Sequence, residues 1–547
     1  MKVALVQLNY RIGDFTGNAE KIISSIGRAK EEGAELAVFS ELAVTGYYPG
    51  DLLEKKEFIL EAEETIREIA RYCTGISALV GGPAINDGER GKQLYNAAYF
   101  LENGKIRDVF YKSLLPTYDV FDEYRHFEPN RLYHLLHVNG IKAAVTICED
   151  LWDEQPVPNE FGKNKLYLTS PLEELDDLEP EIIINLSASP FSANQETFRK
   201  DILIKKAAKA GTPLVYVNQV GAQAELIFDG GSVFIDGRGV ILHELKYFGE
   251  DFRMVDTGNP GLPDLQPAVS RMEKIHNALI LGIRDYFRKT GFRKATLGLS
   301  GGIDSAVVTV LAVRALGAEN VRVLLLPSAY STSHSVEDAV QLAEKLGIRY
   351  DLIPIAGSVN AVNAALSPLF QDLPFDVTEE NIQARIRGVM VMALSNKFNH
   401  LVLNTSNKSE CAVGYGTLYG DMNGGISVLG DVYKTDVYRL AALINSGEEI
   451  IPRNTITKAP SAELRPGQKD SDTLPEYPVL DKILFHYLEL NQSPEEIISL
   501  GLEPALVAKV IRMVNLNEYK RFQAPPILRI SSKSFGFGRK MPLVAKF

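Results

Sequence analysis

The sequence predicts an α/β protein of at least two domains, and three observations lead to this prediction. The chain has 547 residues, whereas a single domain usually holds about 100–200 residues. Short β-branched runs alternate with amphipathic charged stretches along most of the chain, as strands and helices do when they pack in layers. One segment rich in proline and glycine, Thr257–Ala268, interrupts this alternation near the middle of the chain.

The composition excludes several classes of protein. Hydrophobic residues make up 45% and charged residues 23% of the chain, which is ordinary for a folded globular protein and excludes wholesale disorder. Lysine and arginine together number 58 and the acidic residues 70, so the formal charge is −12. A net negative charge disfavours broad contact with nucleic acids or membrane surfaces, and we expect neither as a partner.

Cysteine usage and hydropathy predict a cytoplasmic location. The three cysteines, Cys73, Cys148 and Cys411, lie far apart and form no Cys-x-x-Cys pair, which is typical of a reducing compartment. The apolar run Val3–Leu8 is too short for the core of a signal peptide and fits a first strand better. No run reaches the roughly 18 apolar residues that a membrane-spanning helix requires.

The first half of the chain predicts strands wherever short, β-branched runs are bounded by Gly, Pro, Asn or Ser. These runs are Val3–Leu8, Ala34–Phe39, Ala78–Gly82, Ala97–Leu101, Val109–Lys112, Ala143–Ile147, Ile182–Leu186 and Leu214–Val217. Helical periodicity with a charged outer face predicts helices between some of them. The predicted helices are Asn18–Glu32, Glu57–Tyr72 and Gln195–Ala210.

The segment Thr257–Ala268 predicts the domain boundary, because its prolines and glycines can continue neither a helix nor a central strand. We therefore predict domains at 1–256 and 269–547, joined by a linker at 257–268. A second segment of this kind, Pro466–Pro478, predicts a mobile loop or lid.

Beyond this boundary the alternation of helix and strand becomes regular, which predicts right-handed crossovers and a parallel sheet. The predicted helices are Ser270–Thr290, Ser305–Leu316, Ser335–Leu346 and Glu379–Lys397. The predicted strands are Ala295–Leu299, Val321–Leu326, Tyr350–Ile355 and Leu401–Asn404.

A phosphate-binding loop is predicted at Ser300-Gly301-Gly302-Ile303-Asp304-Ser305, between a strand and a helix. The two glycines let the backbone turn tightly and direct N–H groups at an anion, and the helix N-terminus adds partial positive charge. The serine hydroxyls can donate hydrogen bonds, and Asp304 can hold Mg²⁺ through a hard oxygen ligand. The loop lacks the lysine of a Walker A sequence, and a Ser-Gly-Gly turn that merely ends a strand is common.

This hexapeptide resembles the signature loop of the N-type ATP pyrophosphatases, and later residues narrow the resemblance to the NAD synthetase family. The matching runs follow in the family's order and cover most of Arg271–Phe547. They are Glu380–Arg387, Asn404–Glu410, Gly414–Asp421, Val432–Thr435 and Ser532–Lys540. One position departs from the pattern, because Leu418 stands where shorter, ammonia-dependent relatives carry a lysine.

The resemblance implies a role for individual residues. ATP, a co-substrate, is expected to contact Thr405, Lys434 and the loop with its flank, Gly298, Leu299, Ser300, Gly301, Gly302, Ile303, Asp304 and Ser305. Asp304 and Glu410 are expected to hold Mg²⁺, and deamido-NAD⁺ to contact Asn381, Arg385, Glu410 and Lys533. From spacing alone, Arg385 is better explained as a solvated charge on a helix. Isolated lysines usually mark only a solvent-exposed surface.

A second candidate site lies in the first half, where three reactive residues each close an apolar run. Glu41 follows Ala34–Phe39, Lys112 ends Val109–Lys112, and Cys148 follows Ala143–Ile147. Corresponding strand ends can meet at one edge of a sheet. There the lysine would favour the thiolate, whose free pKa is about 8.5. Glu41 could take the thiol proton, and Lys112 could stabilise an oxyanion.

Each of these residues also has an ordinary structural explanation. A single cysteine is most often a small buried hydrophobe, Glu41 could cap a helix, and Lys112 could protect a strand edge. Their local sequences, however, resemble the three catalytic motifs of the nitrilase superfamily in the same order, with coverage from Met1 to about Asp256. The three motifs are Phe39–Leu42, Tyr111–Pro116 and Ile147–Trp152.

Within that superfamily, Tyr118, Ser189 and Gln195 occupy the positions expected for a glutamine pocket. Gln195 stands where many such enzymes carry a basic residue, so the group that binds the substrate carboxylate is open. Arg199 and Lys200 are the alternatives.

Together the two resemblances imply an enzyme that frees ammonia from L-glutamine and uses it to amidate deamido-NAD⁺ through an adenylated intermediate. They imply an α-β-β-α sandwich followed by a Rossmann-like parallel sheet, and a homo-oligomer. One alternative is an ATP pyrophosphatase that amidates another acid, as asparagine and guanylate synthetases do. Another is a nucleotide-sensing or scaffold protein with an inactive amidase, which would be expected to lose Glu41, Lys112, Cys148 or Asp304. All four are present.

Overall fold

The structure, a computed structural model, describes residues 1–154, 166–193 and 195–546. These residues form two compact units, Met1–Val269 and Ser270–Phe547. Within the described residues, none of the helices combines the length and the apolar composition that crossing a membrane requires.

The first unit is built from strands and a few helices. Its strands are β1 (Lys2–Gln7), β2 (Leu36–Val38), β3 (Ser77–Ile85), β4 (Leu94–Glu102), β5 (Lys105–Tyr111), β6 (Leu136–Val138), β7 (Ile141–Ile147), β8 (Ile182–Ser187), β9 (Leu214–Asn218), β10 (Val220–Gln223), β11 (Leu226–Asp229), β12 (Val233–Ile235), β13 (Ile241–Glu244) and β14 (Asp251–Asp256). Its helices are α1 (Phe15–Glu31), α2 (Lys56–Tyr72), α3 (Pro171–Asp176) and α4 (Gln195–Ala210).

Two six-stranded sheets form the centre of this unit. One has the order β14-β1-β2-β3-β4-β5 and the other β13-β12-β9-β8-β7-β6, while β10 and β11 form a separate hairpin. Alternate side chains of each strand point to opposite faces of its sheet. Val3 and Leu5 of β1 therefore join Ile147 of β7 and Leu186 of β8 in the buried layer between the sheets.

Helices cover the two outer faces. Ala4 and Val6 of β1 pack with Ile22 of α1 and Ile66 of α2. On the other sheet, Ile183 of β8 packs with Leu172 of α3 and Leu203 of α4. Because strands in such a layer are buried on both faces, their sequences are continuous apolar runs rather than alternating ones. The predicted α-β-β-α sandwich is confirmed.

The proline-rich segment that follows β14 packs on the second sheet of this unit. The Asp264 N–H donates to the Leu242 carbonyl at 2.8 Å, and the Glu244 N–H donates to the Asp264 carbonyl at 3.0 Å. The segment thus extends the edge of β13 before the second unit begins at Ser270.

The second unit alternates strands and helices and then becomes helical. Its strands are β15 (Ala295–Gly298), β16 (Val321–Leu325), β17 (Arg349–Leu352), β18 (Leu401–Asn404) and β19 (Ile426–Ser427). Its helices are α5 (Arg271–Thr290), α6 (Ile303–Leu316), α7 (Ser333–Lys345), α8 (Ala356–Phe370), α9 (Val377–Phe398), α10 (Lys408–Val413), α11 (Lys434–Ile444), α12 (Arg453–Thr457), α13 (Tyr477–Leu484), α14 (Pro494–Ser499), α15 (Pro504–Leu516) and α16 (Glu518–Arg521).

The five strands form one sheet of order β17-β16-β15-β18-β19, and every neighbouring pair is parallel. Strand order reverses between β15 and β18, and in open α/β sheets ligands bind at such a switch point, beyond the carboxyl ends of the strands. Val391 of α9 packs with Leu324 and Val402 on one face. The predicted Rossmann-like parallel sheet is confirmed.

This unit differs from the sequence prediction in several ways. No helix was predicted after Leu401–Asn404, where α10 to α16 lie. Helix α8 was not predicted, because its residues include no charged side chain that would mark an outer face. Strand β17 ends at Leu352 rather than at the predicted Ile355. The last two residues of Pro466–Pro478, predicted as a loop, already belong to α13.

Candidate active sites

The first candidate site is formed by three strand ends of the first unit. Glu41 follows β2, Lys112 follows β5, and Cys148 follows β7, and all three are buried. The strands β2 and β5 belong to one sheet and β7 to the other. The prediction that these ends share one edge of a single sheet is therefore wrong, because the residues approach each other across the sandwich. Glu41 and Lys112 both act electrostatically on Cys148.

Lys112 is held between two carboxylates. Its Nζ donates to Glu41 Oε1 at 2.7 Å and to both carboxylate oxygens of Glu123 at 2.8 Å. Burial by itself would lower the pKa of Lys112, but Glu123 and Glu41 outweigh burial and raise the pKa well above its usual value. Lys112 is therefore a permanent cation in this site.

Glu41 is fixed by two further donors. The Asn96 side chain donates to Glu41 Oε1 at 2.7 Å, and the Ala188 N–H donates to Glu41 Oε2 at 3.0 Å. Sequence reasoning missed both Asn96 and Glu123. Glu123 belongs to a short 3₁₀ turn, Glu123–Arg125, that lies outside every motif. No local signal marks it, because its importance comes from its tertiary contacts with Lys112, Tyr47 and Asn96.

Cys148 begins a 3₁₀ turn with a backbone φ of +43°, a left-handed conformation that is strained for a residue with a side chain. Burial and the nearby Glu41 carboxylate raise the pKa of Cys148 well above its usual value, and Lys112 only partly opposes them. Lys112 lowers the pKa of Cys148, as the sequence predicts, but burial and Glu41 have the larger effect. The cysteine rests as a thiol that must lose its proton to react.

The residue after the nucleophile forms a second polar cluster. Glu149 is buried, and its Oε1 accepts hydrogen bonds from the Tyr118 and Tyr167 hydroxyls, each at 2.9 Å. Burial raises the pKa of Glu149 to about 8, although Lys112 and the two hydroxyls oppose the shift. The sequence predicts that Tyr118 lines the glutamine pocket. In the structure its hydroxyl bonds to Glu149, the residue that follows Cys148.

The other predicted pocket residues are less completely defined. Ser189 is buried, and its N–H donates to Asn218 Oδ1 at 2.9 Å. Gln195 begins α4, but its side chain lies outside the described residues. Arg199 forms a bidentate pair with Asp229 at 3.0 and 2.7 Å, and Lys200 lies 2.6 Å from Glu244.

The second candidate site is the loop between β15 and α6. Gly301 has a φ of +81°, and a Cβ placed there would lie 2.1 Å from the Ser335 carbonyl oxygen, so only glycine fits. Ser300 Oγ accepts the Gly302 N–H at 3.2 Å, and Ser305 Oγ donates to the Gly302 carbonyl at 3.0 Å. These bonds shape a turn that ends at the N-terminus of α6, where backbone N–H groups are available to an anion.

Charged side chains converge beside this loop. Lys434 Nζ donates to Asp304 Oδ2 at 2.5 Å and to Glu410 Oε1 at 3.3 Å. Asn407 Nδ2 donates to the other Asp304 oxygen at 2.9 Å. Burial raises the pKa of Glu410 to about 8, partly opposed by Lys434. Burial alone would lower the pKa of Lys434, but Asp304 and Glu410 raise it above its usual value.

A cavity of about 560 Å³ opens over these residues. Most of the predicted ATP and metal residues line it, namely Gly298, Leu299, Ser300, Gly302, Ile303, Asp304, Ser305, Thr405, Glu410 and Lys434. Gly301 does not line it and instead lies against Ser335. Sequence reasoning missed four further cations on its wall, Arg387, Lys458, Arg465 and Lys469. Gly467 and Asp470, from the predicted lid, also line the cavity.

Three predicted dinucleotide residues do not line this cavity, as far as the described residues show: Asn381, Arg385 and Lys533. The first two lie together on α9. Asn381 Oδ1 accepts the Thr417 hydroxyl at 2.7 Å, and Arg385 Nε donates to the Leu418 carbonyl at 3.2 Å. Both therefore contact the segment in which Leu418 departs from the family pattern.

Comparison with known proteins agrees with this two-site arrangement. The family model described as carbon-nitrogen hydrolase matches residues 2–257, and the one described as NAD synthase matches residues 275–524. The chain is 45% identical to the glutamine-dependent NAD(+) synthetase of Synechocystis sp., over 100% of this chain and 99% of that protein. It is 41% identical to the corresponding protein of Thermotoga maritima, with the same coverage. The chain belongs to the glutamine-dependent NAD(+) synthetase family.

Solved structures of this family have the same fold. The chain is similar to the glutamine-dependent NAD⁺ synthetase of Acinetobacter baumannii in complex with ADP, with a TM-score of 0.77 and 37% identity. That similarity covers 99% of this chain and 98% of the other. The family member from Cytophaga hutchinsonii superposes with a TM-score of 0.83, over 100% of this chain and 98% of the other. At 21% identity that second likeness shows the fold alone.

Proposed function

We propose that the protein converts deamido-NAD⁺, ATP, L-glutamine and water into NAD⁺, AMP, pyrophosphate and L-glutamate. The observation that carries this proposal is the presence, in one chain, of a buried Cys148–Glu41–Lys112 centre and a Ser300–Ser305 phosphate loop, with family similarity over the full length. An amide-hydrolysing centre supplies ammonia, and an adenylating centre consumes it.

In the first unit, the Cys148 sulfur attacks the γ-carbonyl carbon of glutamine while the thiol proton passes to Glu41. Because the pKa of Cys148 is raised, a base must take the thiol proton for the sulfur to attack, and we assign this role to Glu41. Glu41 then gives the proton to the departing nitrogen, and ammonia leaves a γ-glutamyl thioester. Water activated by Glu41 hydrolyses the thioester, and Lys112 stabilises the negative oxygen at each step.

Tyr118, Ser189 and Gln195 are proposed to bind the glutamine. Arg199 and Lys200 are poor candidates for its carboxylate, since Asp229 and Glu244 already pair with them. A buried bidentate pair such as Arg199–Asp229 would lose both hydrogen bonds if the arginine turned toward a substrate.

In the second unit, the carboxylate of deamido-NAD⁺ attacks the α-phosphorus of ATP, and the bond from that phosphorus to pyrophosphate breaks. The N–H groups of Ser300–Ser305 and the ammonium of Lys434 hold the phosphates. Asn381, Arg385, Glu410 and Lys533 are proposed to hold the dinucleotide, and Thr405 to contact ATP. Ammonia then attacks the adenylated carbon, AMP leaves, and the nitrogen releases one proton as the amide forms.

Asp304 and Glu410 suit a magnesium site. Both present carboxylate oxygens, the hard donors that Mg²⁺ prefers, and both already share one cation, Lys434 Nζ. When bound, Mg²⁺ would offset the charge of the departing pyrophosphate.

Domain roles follow from this proposal: residues 1–256 form the amidase domain, 257–268 the linker and 269–547 the synthetase domain. A cytoplasmic location fits the three cysteines, which are buried and free.

A homo-oligomer is proposed from one surface of the second unit. Helix α8 buries none of its residues, although it carries no charge and is rich in apolar side chains. Leu369 on this helix and Val377 and Val389 on α9 are each more than half exposed, at 74%, 61% and 63%. A surface of this kind usually marks a protein interface. Sedimentation of the wild type and of Val389→Lys tests this proposal, which predicts a smaller species for the variant.

The experiment that tests the function is product analysis with deamido-NAD⁺, ATP, Mg²⁺ and either glutamine or ammonium. We expect NAD⁺ and AMP in equal amounts from both nitrogen donors, with glutamate formed only from glutamine. Parallel reactions with aspartate or xanthosine monophosphate in place of deamido-NAD⁺ test the alternative synthetases. Turnover of one of these acids in preference to the dinucleotide would contradict the proposal.

A further inference from the structure

A buried charged cluster holds the C-terminal segment that carries Lys533. The cation is Lys408, at the start of α10, and its side chain is fully buried. Its Nζ lies 2.9 Å from Asp431 Oδ1 and 2.9 Å from Glu489 Oε1. The same Nζ donates to Ser531 Oγ at 2.7 Å and to the Lys533 carbonyl at 2.9 Å.

The two carboxylates bind the same segment. Asp431 Oδ2 accepts the N–H groups of Ile530 and Ser531 at 2.8 and 2.7 Å, and Asp431 Oδ1 accepts the Ser531 hydroxyl at 2.8 Å. Glu489 Oε2 accepts the Ser532 hydroxyl at 2.8 Å. Side chains from three separate parts of the chain therefore fix Ile530–Lys533 in one position.

The residues on either side of Lys408 form hydrogen bonds with residues of the nucleotide site. Asn407 donates to Asp304 Oδ1 at 2.9 Å, and Ser409 Oγ accepts the backbone N–H of Lys434 at 2.9 Å. Three consecutive residues, Asn407–Ser409, thus connect the Asp304 carboxylate, the C-terminal segment and the backbone of Lys434.

A cluster of this kind is an inefficient way to stabilise a fold. Removing a lysine and two carboxylates from water costs free energy that apolar side chains of similar size would not require. What the charges provide is a fixed geometry, because each has partners at defined distances. Burial alone would lower the pKa of Lys408, but Asp431 and Glu489 raise it, so the cation is retained.

We propose that Lys408 is a positioning residue, whose buried ammonium fixes Ile530–Lys533 relative to Asp304 and Lys434 so that Lys533 reaches the dinucleotide. The proposal rests on the proposed function, in which Lys533 binds deamido-NAD⁺. Lys408 itself touches no substrate and acts through the segment that it holds.

The test compares Lys408→Met with the parent enzyme in ammonium-driven synthesis. Methionine keeps an apolar stem and removes the charge. We expect kcat/KM for deamido-NAD⁺ to fall about 10- to 100-fold, the effect of a misplacement near 1 Å, with a much smaller change in KM for ATP. Hydrogen exchange should accelerate at Ile530 and Ser531, and Lys408→Arg should recover part of the activity. Lys345→Met, which removes an exposed lysine paired with Glu448, is the matched control.

Equal changes in both KM values, or unchanged kinetics in a folded Lys408→Met, would overturn the proposal. If that variant does not fold because Asp431 and Glu489 lose their cation, Ser531→Ala decides. A raised KM for deamido-NAD⁺ alone supports the proposal, and an unchanged KM overturns it. Failure of the proposed function itself is recognised separately, because the parent enzyme would then form no NAD⁺. Hydrogen exchange would still show whether Lys408 fixes Ile530–Lys533.

Discussion

Lys112 Nζ lies 2.8 Å from both carboxylate oxygens of Glu123, and both side chains are buried. The same nitrogen also reaches Glu41, so one cation serves two carboxylates beside Cys148. A lysine neutralised in this way cannot by itself convert the neighbouring thiol into a thiolate. Its position, in contrast, is strictly fixed, and an oxyanion donor must be fixed to be effective.

Glu123→Gln is expected to reduce glutamine-driven NAD⁺ synthesis by about 100-fold. The amide cannot accept two hydrogen bonds from Lys112 in the way that the carboxylate does, so the ammonium shifts toward Glu41. Ammonium-driven synthesis, which uses the second unit, should stay near the parent rate. Both rates are measured as NAD⁺ formed. Glu61→Gln, at an exposed position of α2, is the control, and equal losses with the two donors would contradict the prediction.

Cys148→Ala is expected to abolish glutamine-driven synthesis and leave ammonium-driven synthesis largely intact. Only the sulfur can form the thioester that releases ammonia, and free ammonia can reach the adenylated intermediate from solution. The two rates are compared at high pH and high ammonium concentration. Cys73→Ala is a matched control, since Cys73 is also a buried free thiol but lies in the α2 packing layer. Loss of both activities in folded protein would refute the assignment of separate sites.

Much of the fold could be predicted because its strands and helices carry strong local patterns. The runs around Val3–Leu8 and Ala295–Leu299 are apolar and short, and they are strands in the structure. Helix α8 could not be predicted, since it carries no charged residue and none of its residues is fully buried, so that it shows no amphipathic period. The same feature led to the proposed subunit interface.

A site residue could be predicted where it lies within a sequence motif at the end of a predicted strand or the start of a predicted helix. Cys148 and Asp304 are of this kind. Glu123 and Lys458 were not predictable, because each lies outside the motifs and reaches its site only through tertiary contacts, Glu123 with Lys112 and Lys458 with Ser335. The direction in which Lys112 shifts the pKa of Cys148 could be predicted. The larger opposing effects of burial and of Glu41 could not, because both are features of tertiary structure.

Asp304→Asn is expected to reduce NAD⁺ formation at least about 100-fold with either nitrogen donor, because several kcal/mol of charge stabilisation are lost. The amide still accepts the hydrogen bond from Asn407 but loses the ion pair with Lys434. The affinity for Mn²⁺, measured by electron paramagnetic resonance, should fall together with the rate of NAD⁺ formation. Asp372→Asn alters an exposed aspartate and serves as the control. Near-parental synthesis from ammonium would rule out the metal assignment.

Gly301→Ala is expected to weaken ATP binding by at least about tenfold. The new methyl group would lie 2.1 Å from the Ser335 carbonyl at a φ of +81°, and strain and overpacking together cost roughly 2–4 kcal/mol. Relief of that clash requires the loop to move away from α7. Titration calorimetry with a non-hydrolysable ATP analogue measures the change. Gly357→Ala on α8, where a Cβ meets nothing within 4 Å, should bind the analogue as the parent does.

The acid-base behaviour of Glu149 gives a prediction about stability. Burial raises its pKa from 4.5 to about 8, so between these two values the folded protein keeps a proton that the unfolded chain has released. The free energy of unfolding therefore falls as pH rises through this window, by at most about 1.4 kcal/mol per pH unit, and levels off above it. Glu149→Gln removes the titration but retains an oxygen that accepts the Tyr118 and Tyr167 hydroxyls. The variant should gain stability relative to the parent from pH 5 to 8.

Trp152, the single tryptophan, is buried in the same unit, so its fluorescence during urea unfolding reports on this effect. The quantity to follow is the difference in unfolding free energy between Glu149→Gln and the parent at each pH, because other titrating groups cancel in it. We expect this difference to grow between pH 5 and 8 and then to stay constant, whereas Glu61→Gln should show no trend. A difference that is flat across the window would mean that Glu149 is ionised in the folded protein, with Lys112 and the two tyrosine hydroxyls compensating fully for its burial.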